Sequence, residues 1–212
     1  MDSKKFWIIL AVIIAGFIGF ITFNKNDTSE NSTAVSSQGS QNFYGKQDSK
    51  VTLTEFVDFQ CEACYAYYPH VKEIKEKFKD RVKFQIRNFP ITSHHQYAMQ
   101  AARSAEAAAR QGKFFEMHDK LFEGQPEWSA SRNAQTYFDQ YAQEIGLDMN
   151  KFNTDRSSSD VNAVINKDLK DVQDLGGNGT PTFVLNGEKI ENPGPSVEAL
   201  SKILDEALAK AQ

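Results

Sequence analysis

The stretch VTLTEFVDFQCEACYAYY, Val51 to Tyr68, constrains this chain most, because it reads as a strand that runs straight into a helix with two cysteines at the junction. Cys61 and Cys64 are the only cysteines in 212 residues, and they are spaced C-x-x-C. A helix N-terminus presents unpaired N–H groups and a partial positive charge. A thiolate placed there is stabilised, so the thiol pKa falls. Cys61, first and more exposed, is the expected nucleophile and leaving group. Cys64, one turn deeper, is the expected resolving partner. Residues i and i+3 share a helix face, close enough to make and break a disulfide.

Strand alternation sets Val51, Leu53, Glu55, Val57 and Phe59 on one face. Glu55 is therefore a carboxylate in an apolar row. Burial favours its neutral form and raises its pKa. Such a group can exchange a proton with the buried Cys64 thiol, directly or through a water. The plainer alternative is a Glu55 that pairs with a lysine or lies on an exposed edge. A structural zinc site normally needs a full set of Cys and His ligands, and no third cysteine exists. Of the four histidines, His70 turns to the far side of the cysteine helix, adjacent His94 and His95 point apart, and His118 lies beside an apolar stripe. No metal is expected. A purely structural disulfide gains stability from the loop it closes, and this loop is minimal. Redox chemistry is the reading that remains.

The run Phe6–Phe23 carries no charged residue. As a helix it is roughly 27 Å long, about the hydrocarbon thickness of a bilayer. Lys4 and Lys5 precede it, which points to a cytoplasmic N-terminus at residues 1–5 and a domain outside the cytoplasm. An uncleaved single-pass anchor over residues 6–23 is expected in the cell membrane. The competing reading, a cleaved signal peptide, would have a shorter apolar core and a small-x-small site directly after it. Either reading places the cysteines in an oxidising compartment. Residues 24–43, rich in Asn, Ser, Thr and Gln, read as a flexible tether with too little apolar content to bury a core. The net charge of −4 gives no sign of the clustered basic surface that nucleic acid requires.

Residues 44–212 are long enough for one self-sufficient core. After the first strand, a helix over Glu62–Phe78 carries the stripe Tyr67, Val71, Ile74 and Phe78. A strand over Val82–Phe89 follows, so the two strands are expected to lie parallel. A helical insertion, about 93–175, has helices expected over His95–Arg110, Lys113–Phe122, Ala134–Ile145, Met149–Phe152 and Ser159–Leu175. Then Thr182–Leu185 and Glu188–Ile190 flank Asn186-Gly187, the strong signature of a tight hairpin. A closing amphipathic helix spans Ser196–Ala209. The order is βαβ, helical insertion, ββ hairpin and closing α, an α/β fold, and C-x-x-C beside βαβ is a redox signature.

Three segments carry a resemblance: Glu55-Phe56-Val57-Asp58-Phe59-Gln60-Cys61-x-x-Cys64, then Gly112-Lys113-Phe114-Phe115-Glu116-Met117-His118, then Gly179-Thr180-Pro181-Thr182-Phe183. From Val51 onward the chain resembles the DsbA-like thiol-disulfide oxidoreductases, a thioredoxin-like fold with a helical insertion. The resemblance implies that Cys61 is the attacking or attacked sulfur, Cys64 the buried one and Glu55 the buried acid. It implies a cis bond before Pro181, with Thr180 and Pro181 facing the disulfide and offering backbone to an extended substrate chain. It implies no bound cofactor beyond the Cys61–Cys64 disulfide, reduced or unfolded secreted proteins as substrates, and a quinone-linked membrane partner that reoxidises the pair. No dimerisation segment stands out, so a monomer is expected. The dipeptide between the cysteines departs from the family, which often has proline there. Glu62 and Ala63 would tune the redox pair, and the Glu62 carboxylate opposes thiolate formation at Cys61, which implies a milder oxidant. The rivals to a disulfide donor are a reductase or isomerase using the same cysteines, and a tethered peptide-binding or chaperone module that needs neither thiol.

Overall fold

The computed structural model describes residues 38–211. The apolar run at 6–23 and residues 24–37 of the tether lie outside the described residues. Among the described residues no helix is long and apolar enough to cross a membrane.

The strand read from Val51 becomes β2, Thr52–Val57, and sits at the centre of a five-stranded sheet. It is buried on both faces, which is why Leu53, Phe56 and Val57 are all apolar. Each such side chain contributes about 1.5–3 kcal/mol by leaving water. Helix α1, Glu62–Phe78, returns the chain to β3, Lys83–Asn88, which pairs parallel with β2. On the other side of β2, strand β4, Thr182–Leu185, pairs antiparallel and is followed by β5, Glu188–Lys189. Asn186 and Gly187 both have positive φ, 52° and 88°, the conformation that an Asn-Gly hairpin turn demands.

An edge strand was not legible in the sequence. β1, Asn42–Gly45, pairs antiparallel with β3, so the sheet takes in residues before Tyr44, inside the segment read as tether. Polar anchoring explains it: Ser40 and Asn42 are buried, and the Asn42 amide donates to Glu106 at 2.9 Å.

Six helices separate β3 from β4: α2, Ala98–Ala109; α3, Phe114–Glu123; α4, Gln125–Ser129; α5, Ala134–Glu144; α6, Met149–Arg156; and α7, Ser159–Asp174. The first begins three residues later than expected from His95. Tyr97 is its cap, with the Tyr97 N–H donating to Gln60 Oε1 at 2.7 Å. The short α4 was not anticipated, because five residues show no helical period. It is fixed by Trp128, whose indole N–H donates to the Leu121 carbonyl at 2.7 Å. The closing helix α8, Val197–Lys210, is capped by Ser196.

The core has two main parts. Leu53, Phe84 and Phe183 of the sheet pack with Val71, Ile74 and Phe78 of α1 and with Leu200 and Leu204 of α8. Val57, Phe59 and both cysteines pack instead with insertion residues such as Met117, Phe122 and Trp128. The redox end of α1 is therefore built against the insertion.

Candidate active site

Cys61 is the N-cap of α1 and Cys64 lies in its first turn. Both are free thiols. Cys61 is 9 % exposed, less open than its place at the helix start suggests, because the loop before β4 lies against it: the Cys61 thiol donates to the Thr180 carbonyl at 3.5 Å. The Thr180–Pro181 peptide bond is cis. A shallow cavity of about 330 Å³ opens beside this loop, lined by Gly179, Thr180, Pro181, Ile190 and Asn192 among others.

The electrostatics divide the pair. A hydrogen bond from the Cys64 thiol, and after it the Thr180 hydroxyl and the Cys64 and Ala63 N–H groups, lower Cys61 to about 5 despite its partial burial. The Thr180 hydroxyl is buried and has no hydrogen-bond partner in the protein, so it is free to donate to a thiolate. Cys64, 1 % exposed, is pushed well above the ordinary thiol range by burial first and by Cys61 second. Ala63 thus acts through its backbone. Glu62 is exposed to solvent, where charge–charge effects are screened.

Glu55 lies behind the pair, 5 % exposed. Burial pushes its carboxyl up to about 8, with Lys75 the opposing influence. Its own field raises Cys64 further. Glu55 therefore does not lie on an exposed edge.

The turn from β2 to α1 is held by residues to which the sequence assigned no role. Asp58 accepts from the Gln60 N–H and the Ile91 N–H, each at 2.8 Å, and faces His95 Nδ1 at 2.8 Å. Gln125, buried in α4, donates to the carbonyls of Phe59 at 2.8 Å and Cys61 at 3.1 Å. Asp58 and Gln60 were visible as letters of the motif. Gln125 gave no signal, since a glutamine in a short helix after glycine looks like loop. His118 is caged by Phe59, Tyr68, Phe114, Phe115 and Phe122. Burial lowers it to about 4, so it is neutral, and it serves the core. Among the described residues no group of three or more His, Cys, Asp or Glu side chains could hold a metal ion.

The family profile described as thioredoxin matches residues 37–206, most of the chain. The chain belongs to the thioredoxin family. Within that family its architecture is DsbA-like, with the helical insertion between β3 and β4. A thioredoxin-like oxidoreductase from Silicibacter pomeroyi DSS-3 superposes with a TM-score of 0.67 at 29 % identity, covering 80 % of this chain and 92 % of that one. The thiol-disulfide exchange protein α-DsbA2 from Wolbachia pipientis shares the fold, with a TM-score of 0.67 at 24 % identity over 78 % of this chain and 86 % of its own. Among curated sequences, a Na(+)/H(+) antiporter, NhaA 3 of Salinispora tropica, is 37 % identical over 169 residues, 79 % of this chain. The chain spans about a quarter of the length of the curated relatives it matches.

Proposed function

We propose that this thioredoxin-family protein is an extracytoplasmic thiol-disulfide oxidoreductase that donates disulfides to protein thiols through Cys61 and Cys64. The observation that carries the reading is the division of the pair, a Cys61 sulfur stabilised as thiolate in front of a proton-holding Cys64 and Glu55. A client thiolate attacks Cys61 of the oxidised pair. The Cys61–Cys64 bond breaks, and Cys64 leaves and takes the proton held by Glu55. A second client thiolate then attacks the client sulfur of the mixed disulfide and expels Cys61 as thiolate. Two electrons pass from the client to the protein, which is left as the dithiol. Stabilising the Cys61 thiolate stabilises the reduced protein, and so makes its disulfide a stronger oxidant.

Reduced secreted proteins are the proposed clients, lying as an extended strand along Thr180 and Pro181. A quinone-linked membrane partner would take the electrons back. The chain needs no cofactor for these steps and would work as a monomer held at the membrane by residues 6–23, its catalytic domain outside the cytoplasm.

The deciding measurement is the reduction potential of the pair against glutathione buffers. A value of about −180 mV or above supports a disulfide donor, and one near −270 mV makes the protein a reductant. Cys61→Ser should abolish client oxidation, and activity that survives in the variant lacking both thiols would point to a peptide-binding module instead.

A further inference from the structure

The turn that carries the nucleophile is folded around Asp58, whose side chain is fully buried. Its Oδ1 accepts the Gln60 N–H at 2.8 Å, and its carbonyl accepts the Cys61 N–H at 3.1 Å. This is an Asx-turn laid over a β-turn. Its own N–H bonds the sulfur of Cys64. One residue thus holds both cysteines through its backbone.

The second oxygen, Oδ2, accepts the Ile91 N–H and faces His95 Nδ1, each at 2.8 Å. A carboxylate only accepts hydrogen bonds, so the ring nitrogen that faces it carries the proton. Ile91 and His95 belong to the connection from β3 to α2. That connection is tied to the same turn a second time, where Gln60 Oε1 accepts the Tyr97 N–H at 2.7 Å. The two adjacent imidazoles part: His94 meets the Ser93 hydroxyl at the surface, and His95, its side chain 17 % exposed, turns in to Asp58.

A buried carboxylate is costly unless its charge is compensated. Among the described residues no lysine or arginine lies within ion-pair distance of Asp58. Its compensation is three N–H groups, and His95 supplies the one that comes from a side chain. Without that donor the carboxylate charge, three residues before Cys61, would bear more strongly against a thiolate there. The turn would also lose one of its two ties to the connection before α2.

We propose that His95 is the positioning residue of the redox turn: donating from Nδ1 to the buried Asp58 carboxylate, it fixes the residue whose backbone holds both cysteines and offsets its charge, so that Cys61 attacks and leaves as a thiolate. The proposal rests on the disulfide-exchange reading given above.

The test uses the full chain in detergent micelles and reads two quantities, the pH midpoint for iodoacetamide alkylation of Cys61 in the reduced protein and the reduction potential of the pair against glutathione. His95→Asn places an amide N–H where Nδ1 stands, His95→Gln places one where Nε2 stands, and His95→Leu has none. His95→Leu and His95→Gln should each raise the midpoint by about one pH unit, a tenfold weaker hold on the thiolate. The same tenfold change makes the pair about 30 mV more reducing. His95→Asn should restore both quantities. Asp58→Asn keeps the acceptor of the turn and removes the charge, so on that background His95→Leu should move neither quantity further. A folded His95→Leu protein with the native midpoint, or an undiminished shift on the Asp58→Asn background, overturns the proposal. Should His95→Leu fail to fold, the Asn and Gln variants decide, since both are polar and differ by one methylene: equal midpoints overturn the proposal. Client oxidation that survives Cys61→Ser would overturn the disulfide-exchange reading itself. An immobile midpoint in an enzyme that still needs Cys61 overturns only the role of His95.

Discussion

The thiol of Cys64 donates a hydrogen bond to the sulfur of Cys61, and through that contact one cysteine becomes the acid-like thiol and the other the proton-retaining one. The lowered thiol stabilises the reduced protein above the unfolded thiol pKa, and this stabilisation is lost as pH falls through about 5. Burial of Cys64 works in the opposite sense, since a thiol with a raised pKa contributes stability only while it stays protonated.

The first prediction concerns Thr180, whose otherwise unpartnered hydroxyl is aimed at the same sulfur. Thr180→Val keeps the shape and removes the donor. A hydrogen bond to a charged group is worth about 1.5–3 kcal/mol, so the Cys61 midpoint should rise by about one to two units. Iodoacetamide alkylation between pH 4 and 9 reads this directly. No rise would mean that Cys64 and the helix N–H groups set the thiolate alone.

For Glu55 the sign is reversed. Its folded pKa, about 8, lies above the ordinary value of 4.5, with burial the cause. Its contribution to stability is therefore fully present below 4.5 and is lost as pH rises through about 8. Glu55→Gln cannot ionise, so the variant should gain stability over the native protein progressively from pH 5 to pH 9. Its disulfide exchange at pH 7 should be slower, because the proton donor is gone. Urea denaturation at three pH values, run beside the exchange assay, separates the two effects. A constant stability difference across that range would show that Glu55 titrates in the fold as it does in the unfolded chain.

What could be read from residues alone follows from physics that is local. The strand–helix junction, the Asn186-Gly187 turn and the inward face of β2 each carry their signal within a few residues, and the structure has all of them. β1 and α4 carry none. Phe43-Tyr44 follows a long polar run, and what makes it a strand is β3 beside it and Glu106 beneath it, a residue 64 positions away from Asn42. The site divides in the same way. Cys61, Cys64, Glu55, Thr180 and Pro181 stand in short motifs. Gln125 acts through tertiary placement, which no short stretch of sequence around it announces.

The early start of the fold gives a prediction of its own. Ser40 N–H donates to Asp168 at 2.9 Å, its hydroxyl lies 2.6 Å from Glu106, and Asn88 donates to that hydroxyl at 2.9 Å. Glu106 is raised by burial above all, so this cluster depends on the donors that satisfy it. Ser40→Ala should cost about 1–3 kcal/mol, the desolvation penalty of unpaired buried groups. A chain starting at Tyr44 should melt well below one starting at Gln38. Equal melting temperatures would show that residues 38–43 contribute nothing.

Gln125 offers the sharpest separation between folding and chemistry. Its amide donates to two backbone carbonyls of one connection, Phe59 in the turn after β2 and Cys61 at the cap of α1. The Cys61 carbonyl also accepts the Tyr65 N–H at 3.0 Å, so the helix keeps one bond when the amide is lost. The Phe59 carbonyl then lies buried beside an apolar group. Gln125→Leu preserves volume and should cost about 1–3 kcal/mol. The chemical effect has a different signature. The nucleophile sits on this turn, and its sulfur must meet both Thr180 and the helix N–H groups. A loosened turn weakens those bonds together, so the Cys61 alkylation midpoint should rise toward the ordinary thiol value while Cys64 stays unreactive. A variant that is less stable but keeps the native midpoint would confine Gln125 to holding α4 in place. One with a raised midpoint would show that the insertion sets the reactivity of the cysteine it covers.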